Sequence, residues 1–411
     1  MNVLKNIILG TLVHFIVFSC SPRINIHKLV ADVEYQTSVM LEEIPKAKAA
    51  KATISSGGTP GATGELISPR TLENGELKLV SSRDWTSGFF PGQLWLLYEF
   101  TQNESWKKQA QVFTSNMEKE KTNGTTHDMG FKMYCSFGEG YRLTDNSEYR
   151  DILIQSAKTL ITRFNNKTGT IRSWDHNRNK WAYPVIIDNM MNLELLFKAT
   201  QFTGDSSYYK IAISHANKTM ENHFRPDHSS FHVVDYDTAN GQVIQRQTHQ
   251  GYSHASAWSR GQAWALYGFT MCFRFSKDKK YLEKAENIAQ FILSHPRLPK
   301  DKIPFWDFDA PLIPNEPRDA SAGSIIASAL FELSLYSQNG HHYRSTATTI
   351  IKNLSDHYRS ALNENRGFLL LHSTGSAPVK SEVDVPITYA DYYYLEALNR
   401  YRKLSGGKLL W

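Results

Sequence analysis

Only three of the 411 residues are cysteine. Cys135 and Cys272 stand in apolar, helix-like contexts, and none of the three shows metal-ligand spacing, so a metal centre built on thiolates is excluded and buried thiols are expected. None of the fifteen histidines sits in a recognisable metal-binding motif with a carboxylate partner. Gly-rich phosphate loops are missing, as is Gly-x-Ser-x-Gly, which removes the usual nucleotide cradle and the serine-hydrolase elbow. Charge of one sign is scarce too. Lys+Arg 46 against Asp+Glu 40 leaves +6, spread along the chain without a basic block, so no nucleic-acid partner is expected. Long apolar runs occur only at the start, where Ile7 to Phe18 is too short to span a bilayer comfortably.

That first segment reads as a signal. Lys5 precedes the apolar core, and Val17-Phe18-Ser19-Cys20 resembles a loose bacterial lipobox. Residues 1–20 are read as a lipoprotein signal ending at Cys20, the lipidated residue. A lipid-anchored protein on the periplasmic side of a bacterial envelope follows, with membrane contact only through the anchor; the alternative is an ordinary secretory signal cleaved nearby. No linker divides the remainder, so 21–411 is read as one domain.

What is abundant is aromatic: 12% of residues, with 9 Trp and 20 Tyr. Amphipathic rings in such number suit a partner with flat faces and polar edges, such as a sugar. Five segments share a layout of polar turn, aromatic, then a small or apolar residue four positions on: Asn103…Trp106…Ala110, Asn146…Tyr149…Leu153, Asp205…Tyr208…Ala212, Asp278…Tyr281…Ala285 and Asn339…Tyr343…Ala347. Each opens an amphipathic helix, with the turn residue as N-cap. Between them lie helices apolar on most sides: 88–100, 127–143, 188–202, 259–273, 320–335 and 386–401. About a dozen helices alternating buried and amphipathic predict an all-α fold, an (α/α)6 barrel of about six hairpins. Connections from inner to outer helix are short; those from outer to inner are long, gather on one face, and carry small β-hairpins such as 231–236 with 242–246.

Polar residues concentrate on that face. A carboxylate at a helix start is ordinarily a cap, but Asp188 follows Val185-Ile-Ile187 and precedes Met190 and Met191. An apolar setting raises a carboxyl pKa and suits a general acid near neutrality. Asp128, between His127 and Met129-Gly-Phe131, is similarly placed, and two nearby carboxyls drive their pKa values apart. His232, His249, Gln250 and Arg260 form a second group: His and Gln can orient a hydroxyl or water, and Arg260 can hold a carboxylate by its N–H fork.

Taken together, Asp84-Trp-Thr-Ser-Gly-Phe-Phe-Pro-Gly92, His127-Asp-Met-Gly-Phe131, Ile187-Asp-Asn-Met-Met-Asn192, His249-Gln-Gly-Tyr252, Ser256-Ala-Trp-Ser-Arg-Gly-Gln-Ala-Trp264 and Ser381-Glu-Val-Asp-Val-Pro386 resemble glycoside hydrolase family 88, the unsaturated glucuronyl hydrolases. The resemblance implies the same (α/α)6 barrel and no cofactor. It implies an unsaturated oligosaccharide substrate, left by a polysaccharide lyase, whose terminal 4,5-unsaturated uronic acid is removed by hydration of the vinyl ether. Asp188 would be the general acid/base and Asp128 the second essential carboxylate. Substrate contacts would come from Trp85, His127, Trp174, His232, His249, Gln250, Arg260 and Trp264, with Trp85 and Trp264 as stacking surfaces. Members accepting sulfated glycosaminoglycan disaccharides carry Arg where this chain has His249; Lys380 and Ser381 are the expected sulfate-receiving pair, in a changed spacing. A sulfated algal uronan such as ulvan stays open beside the glycosaminoglycans. The competing readings are the neighbouring family 105, on the same barrel, and a glycan-binding lipoprotein without activity.

Overall fold

The computed structural model describes residues 24–55 and 65–406. Cys20 and the signal reading fall outside these residues. The chain runs through α1 (Ile26–Ser55), α2 (Phe89–Thr101), α3 (Glu104–Ser115), α4 (Glu139–Thr144), α5 (Ser147–Ile161), α6 (Leu193–Thr203), α7 (Ser206–Asn222), α8 (Ser259–Ser276), α9 (Lys279–Ser294), α10 (Ala320–Leu333), α11 (Gly340–His357) and α12 (Thr388–Leu404). A π-helix, Gly130–Gly138, leads into α4, and a 3-10 turn, Ile187–Asn192, leads into α6.

The even-numbered helices form the inner ring, α12 packing back on α2 to close it. Apart from the short α4, they are buried nearly all round because each is covered by two inner neighbours and an outer helix. The outer ring is α3, α5, α7, α9, α11 and α1. The first helix closes that ring: Glu34 accepts from the Trp106 indole of α3, and Asp32 pairs with Arg359 just past α11. This is the expected (α/α)6 barrel.

Inner-to-outer turns are built almost to one plan. Gln102, Asp145, Gly204 and Lys277 end their helices in the left-handed conformation, and the next residue caps the outer helix. Asn103, Asn146, Asp205 and Asp278 each accept the backbone N–H two residues on, as expected. Asn339 does not cap α11. Its aromatic follows four residues later instead of three, and the helix entry is shifted by that residue.

The long connections stand on the opposite face. They carry β1 (Leu66–Glu73) with β2 (Glu76–Ser81), β3 (Phe164–Asn165) with β4 (Thr170–Ile171), the three-stranded β5 (Pro184–Ile186), β6 (Val233–Tyr236) and β7 (Val243–Gln247), and β8 (Ser373–Ser376) with β9 (Ser381–Val385), all antiparallel. The short-turn end of the axis is tied by buried and half-buried ion pairs between inner helices: Arg142 and Lys403 with Glu99, Arg274 with Glu194, Arg400 with Glu332. Removing one partner of such a pair strands a charge, so the network fixes which helices are neighbours. Cys135 and Cys272 are buried free thiols. Among the described residues no helix is long and apolar enough to cross a membrane.

Candidate active site

The inner ring leaves a cavity of about 260 Å³ at its long-loop end. Strand β5 delivers Asp188 to its floor. Its pairing with β6 continues one residue further, Ile187 N–H donating to His232 O at 3.0 Å, and this sets Asp188 beside His232. Asp188 is 8% exposed. Burial pushes its carboxyl up to about 7, with the Asp128 charge adding to the rise; the Arg260 guanidinium, its own backbone N–H and the Trp264 indole N–H act against it.

His232 has a defined tautomer. Its Nδ1 accepts the backbone N–H groups of His249 (3.1 Å) and Gln250 (3.2 Å), so the ring hydrogen sits on Nε2, which lies 3.8 Å from Asp188 Oδ2. Burial holds the ring well below the ordinary histidine pKa, so it stays a neutral donor. Neither Nε2 nor Asp188 Oδ2 has a hydrogen-bond partner within the protein. Asp188 lines the cavity, while His232, expected as a substrate contact, does not line it and stands behind Asp188; the two leave unpaired buried polar atoms at the cavity edge.

Asp128 enters from the start of the π-helix. Thr126 Oγ1 donates to its Oδ2 at 2.7 Å, and His127 Nε2 lies 3.2 Å from its Oδ1. The two catalytic candidates are brought together by a close backbone approach. A Cβ on Gly130 would stand 2.5 Å from Asn192 Cα, while Asn192 Oδ1 accepts the Phe131 N–H. Only glycine lets the segment carrying Asp128 press on the segment carrying Asp188.

Trp85, Trp174, His127, His249, Gln250, Arg260 and Ser381 line the same cavity. Trp85 leans on Tyr389 (ring centroids 5.0 Å apart) and Trp174 meets His249 edge-on at 5.3 Å, forming two aromatic walls. Paired carboxyls, a neutral imidazole and aromatic walls are the chemistry of sugar recognition joined to proton transfer. The sequence model of Glycosyl Hydrolase Family 88 matches residues 66–411.

The chain belongs to glycosyl hydrolase family 88.

It is an enzyme of that family, an unsaturated glucuronyl hydrolase. A curated unsaturated glucuronyl hydrolase from Formosa agariphila is 54% identical over 327 residues, 79% of this chain and 82% of the relative. The crystal structure of an unsaturated glucuronyl hydrolase specific for heparin superposes with a TM-score of 0.83 at 44% identity, covering 92% of this chain and 97% of its own. That of an unsaturated glucuronyl hydrolase from Streptococcus agalactiae gives 0.82 at 28% identity, covering 94% and 93%.

Within this family 88 site three expectations change. Trp264 is not a stacking surface. It is wholly buried between Phe131 and Tyr393, beneath the cavity. The inner helix that holds Trp264 is buried on nearly every side, so its phase does not reveal which aromatic reaches the cavity. Lys380 does not line the cavity either. Its backbone is left-handed (φ 52°), which puts the side chain on the far side of the β8–β9 turn, away from Ser381. Arg260 lies at the cavity, but much of its fork is engaged by protein: Nη1 donates to Asp319 Oδ2 (3.1 Å) and Thr374 O (2.5 Å), Nη2 to Gly375 O (2.6 Å). Three of its five N–H groups are used in this way; Nε, which has no partner in the protein, and the second N–H of Nη2 are left over.

Sequence reasoning missed Arg70, Glu382, Tyr389 and His176, which also line the cavity. Arg70 is held by Asp84 at 2.7 Å and by Glu382 at 2.5 Å, 312 positions away. No local pattern signals such a contact. Tyr389 had a signal: it opens the last inner helix, where the other site residues cluster. Among the described residues no group of three or more His, Cys, Asp or Glu could hold a metal ion.

Proposed function

We propose that this enzyme removes the 4,5-unsaturated glucuronic acid from the non-reducing end of glycosaminoglycan-type oligosaccharides left by a polysaccharide lyase, with Asp188 as acid and base. The observation that carries the reading is the Asp188 carboxyl, buried, pushed up to about 7, and unpartnered at Oδ2 opposite a neutral His232 N–H.

Protonated Asp188 gives its proton to C4 of the C4=C5 bond. Positive charge develops at C5, shared by the ring oxygen. Asp188, now a carboxylate, takes a proton from water as the water oxygen bonds to C5, and the acid is restored. The hemiketal opens, the anomeric carbon becomes a hemiacetal, and the leaving sugar departs. The His232 N–H is placed to orient the water or a sugar hydroxyl, and Asp128 to accept sugar hydroxyls. The two N–H groups that Arg260 does not spend on the protein are the donors offered to the uronate carboxylate.

Relatives bracket the substrate. One solved relative is specific for heparin, and a Streptococcus agalactiae D175N mutant was crystallised with dGlcA-GalNAc6S. The test is a panel of lyase products from heparin, chondroitin, hyaluronan and ulvan, with and without sulfate, followed by loss of the ultraviolet absorbance of the conjugated double bond. Turnover of a glycosaminoglycan product supports the reading; turnover of the ulvan product alone would replace the substrate class.

The pH profile checks the acid. A step that needs protonated Asp188 is available below its pKa and lost above it, so kcat/KM should fall by one proton as pH rises through about 7. Asp128→Asn removes a charge that raises this pKa and should move the limb to lower pH. A limb that stays in place would detach Asp128 from Asp188.

A further inference from the structure

Beside the catalytic cavity lies an open groove of about 580 Å³, more than twice the cavity's volume. Two segments run from one into the other. Gln250 lines the cavity and Tyr252 the groove; Ser376, Val379 and Ser381 line the cavity, while Ala377, Pro378, Lys380 and Val383 line the groove. The β8–β9 turn is therefore a ridge with the cavity on one side and the groove on the other.

We propose that this groove is a further sugar subsite, holding an anionic sugar on the reducing-end side of the leaving residue in substrates longer than a disaccharide. The inference rests on the hydrolase reading above. Continuity across the ridge is the first argument. The second is the surface itself. Tyr252, exposed at 49%, lines the groove; Leu312, at 66%, follows the groove residue Pro311, and Val379, at 61%, stands on the cavity side of the ridge, so three of the eight large hydrophobic side chains so exposed among the described residues lie in or next to the groove-lining segments. Apolar rings and prolines concentrated in one patch mark a recognition surface.

The platform is held in place. Tyr252 N–H donates to Asp307 Oδ2 at 2.8 Å, and the same carboxylate, fully buried, accepts from Ser256 Oγ. Trp306, Pro311 and Pro317 form the far wall.

Charge selects the ligand class. Glu316 lines the groove, but its two oxygens accept the Trp306 indole N–H (2.9 Å) and the Leu312 N–H (3.0 Å). Lys380 is exposed and makes no ion pair among the described residues. An uncommitted ammonium in a groove that also carries a tyrosine ring fits a uronate or a sulfated sugar, its carboxylate or sulfate on Lys380 and its apolar face on Tyr252.

The experiment compares an unsaturated disaccharide and the matching tetrasaccharide from one lyase digest, using wild type, Tyr252→Ala and Lys380→Ala. Wild type should show the higher kcat/KM on the tetrasaccharide. Tyr252→Ala should lower the tetrasaccharide value about 3- to 10-fold, as for loss of one aromatic face, and leave the disaccharide within about twofold. Lys380→Ala should flatten the salt dependence of the tetrasaccharide KM. Equal effects of Tyr252→Ala on both substrates, or none on either, would overturn the subsite. If wild type turns over neither substrate, the hydrolase reading fails by itself. Calorimetric binding of the tetrasaccharide to wild type and Tyr252→Ala then decides the groove: equal affinity overturns it, a 3- to 10-fold loss supports it.

Discussion

Asp188→Asn is expected to lower kcat about 10³- to 10⁴-fold, near the upper end of what one acid–base group supplies, while the affinity for an unsaturated oligosaccharide stays within a few-fold. Asparagine keeps the shape of the side chain but has no proton to give to C4 and no carboxylate to take one from water. The fold should tolerate the change. Asp188 Oδ2 has no hydrogen-bond partner in the protein, and burial already disfavours the charged form. A neutral amide therefore avoids a desolvation cost that the carboxylate carries above pH 7. The measurements are the rate of absorbance loss on the best lyase product, titration calorimetry with the same sugar, and a thermal melt. A variant that still turns over would move the acid elsewhere, with Asp128 the next candidate. Lost turnover with lost binding and a lowered melting point would mean that the residue holds the site together. Lost turnover with intact binding also disposes of a barrel that merely binds glycans, because such a protein would not distinguish the two residues.

Much of the architecture was legible because it is written in short-range pattern. The alternation of all-round apolar and one-sided helices, and the Asn or Asp at each turn, are properties of stretches under twenty residues, and they predicted which helices lie inside. The setting of Asp188 was legible for the same reason: its neighbours in sequence, Ile187, Met190 and Met191, are also its neighbours in space. The failures share the opposite cause. Trp264 and Trp85 are chemically alike, and only the phase of α8 within the closed ring separates the buried ring from the cavity wall. The misplacement of Lys380 turns on left-handed backbone at Lys380, Glu382 and Asp384, three non-glycine residues that carry no sequence signal for it. The Arg70 pairs and the ties from Arg260 to β8 join segments brought together only when the barrel closes. The nine-residue π-helix that carries the chain from Asp128 to α4 was read as ordinary helix, since its side-chain pattern suits either winding.

Those ties make Arg260 the second site of large effect. Arg260→Met should destabilise the protein by about 3–5 kcal/mol, the usual result of removing one member of a buried ion pair. Arg260 is 1% exposed and Asp319 fully buried. Asp319 Oδ1 would still cap α10 through Ser321 and Ala322, but Oδ2 would lose its cation, and the Thr374 carbonyl its guanidinium donor. The Gly375 carbonyl would keep only the Gln250 amide, at 3.0 Å. The cost is thus shared between a stranded charge and loosened anchoring of β8, which supplies Gly375 and Ser376 to the cavity wall. A second consequence separates electrostatics from packing. Arg260 is the largest influence holding the Asp188 carboxyl down against burial. Without it that pKa rises above about 7, and the falling limb of kcat/KM should move to higher pH, opposite to its shift in Asp128→Asn. Arg260→Lys keeps the charge and loses the planar fork, so its limb should stay close to wild type while part of the stability is still lost. Urea midpoints and pH profiles of the three proteins check both halves. An Arg260→Met protein as stable as wild type would show that the fork does not anchor β8. A lysine variant whose limb moves as far as that of the methionine variant would show that the charge does not set the Asp188 pKa.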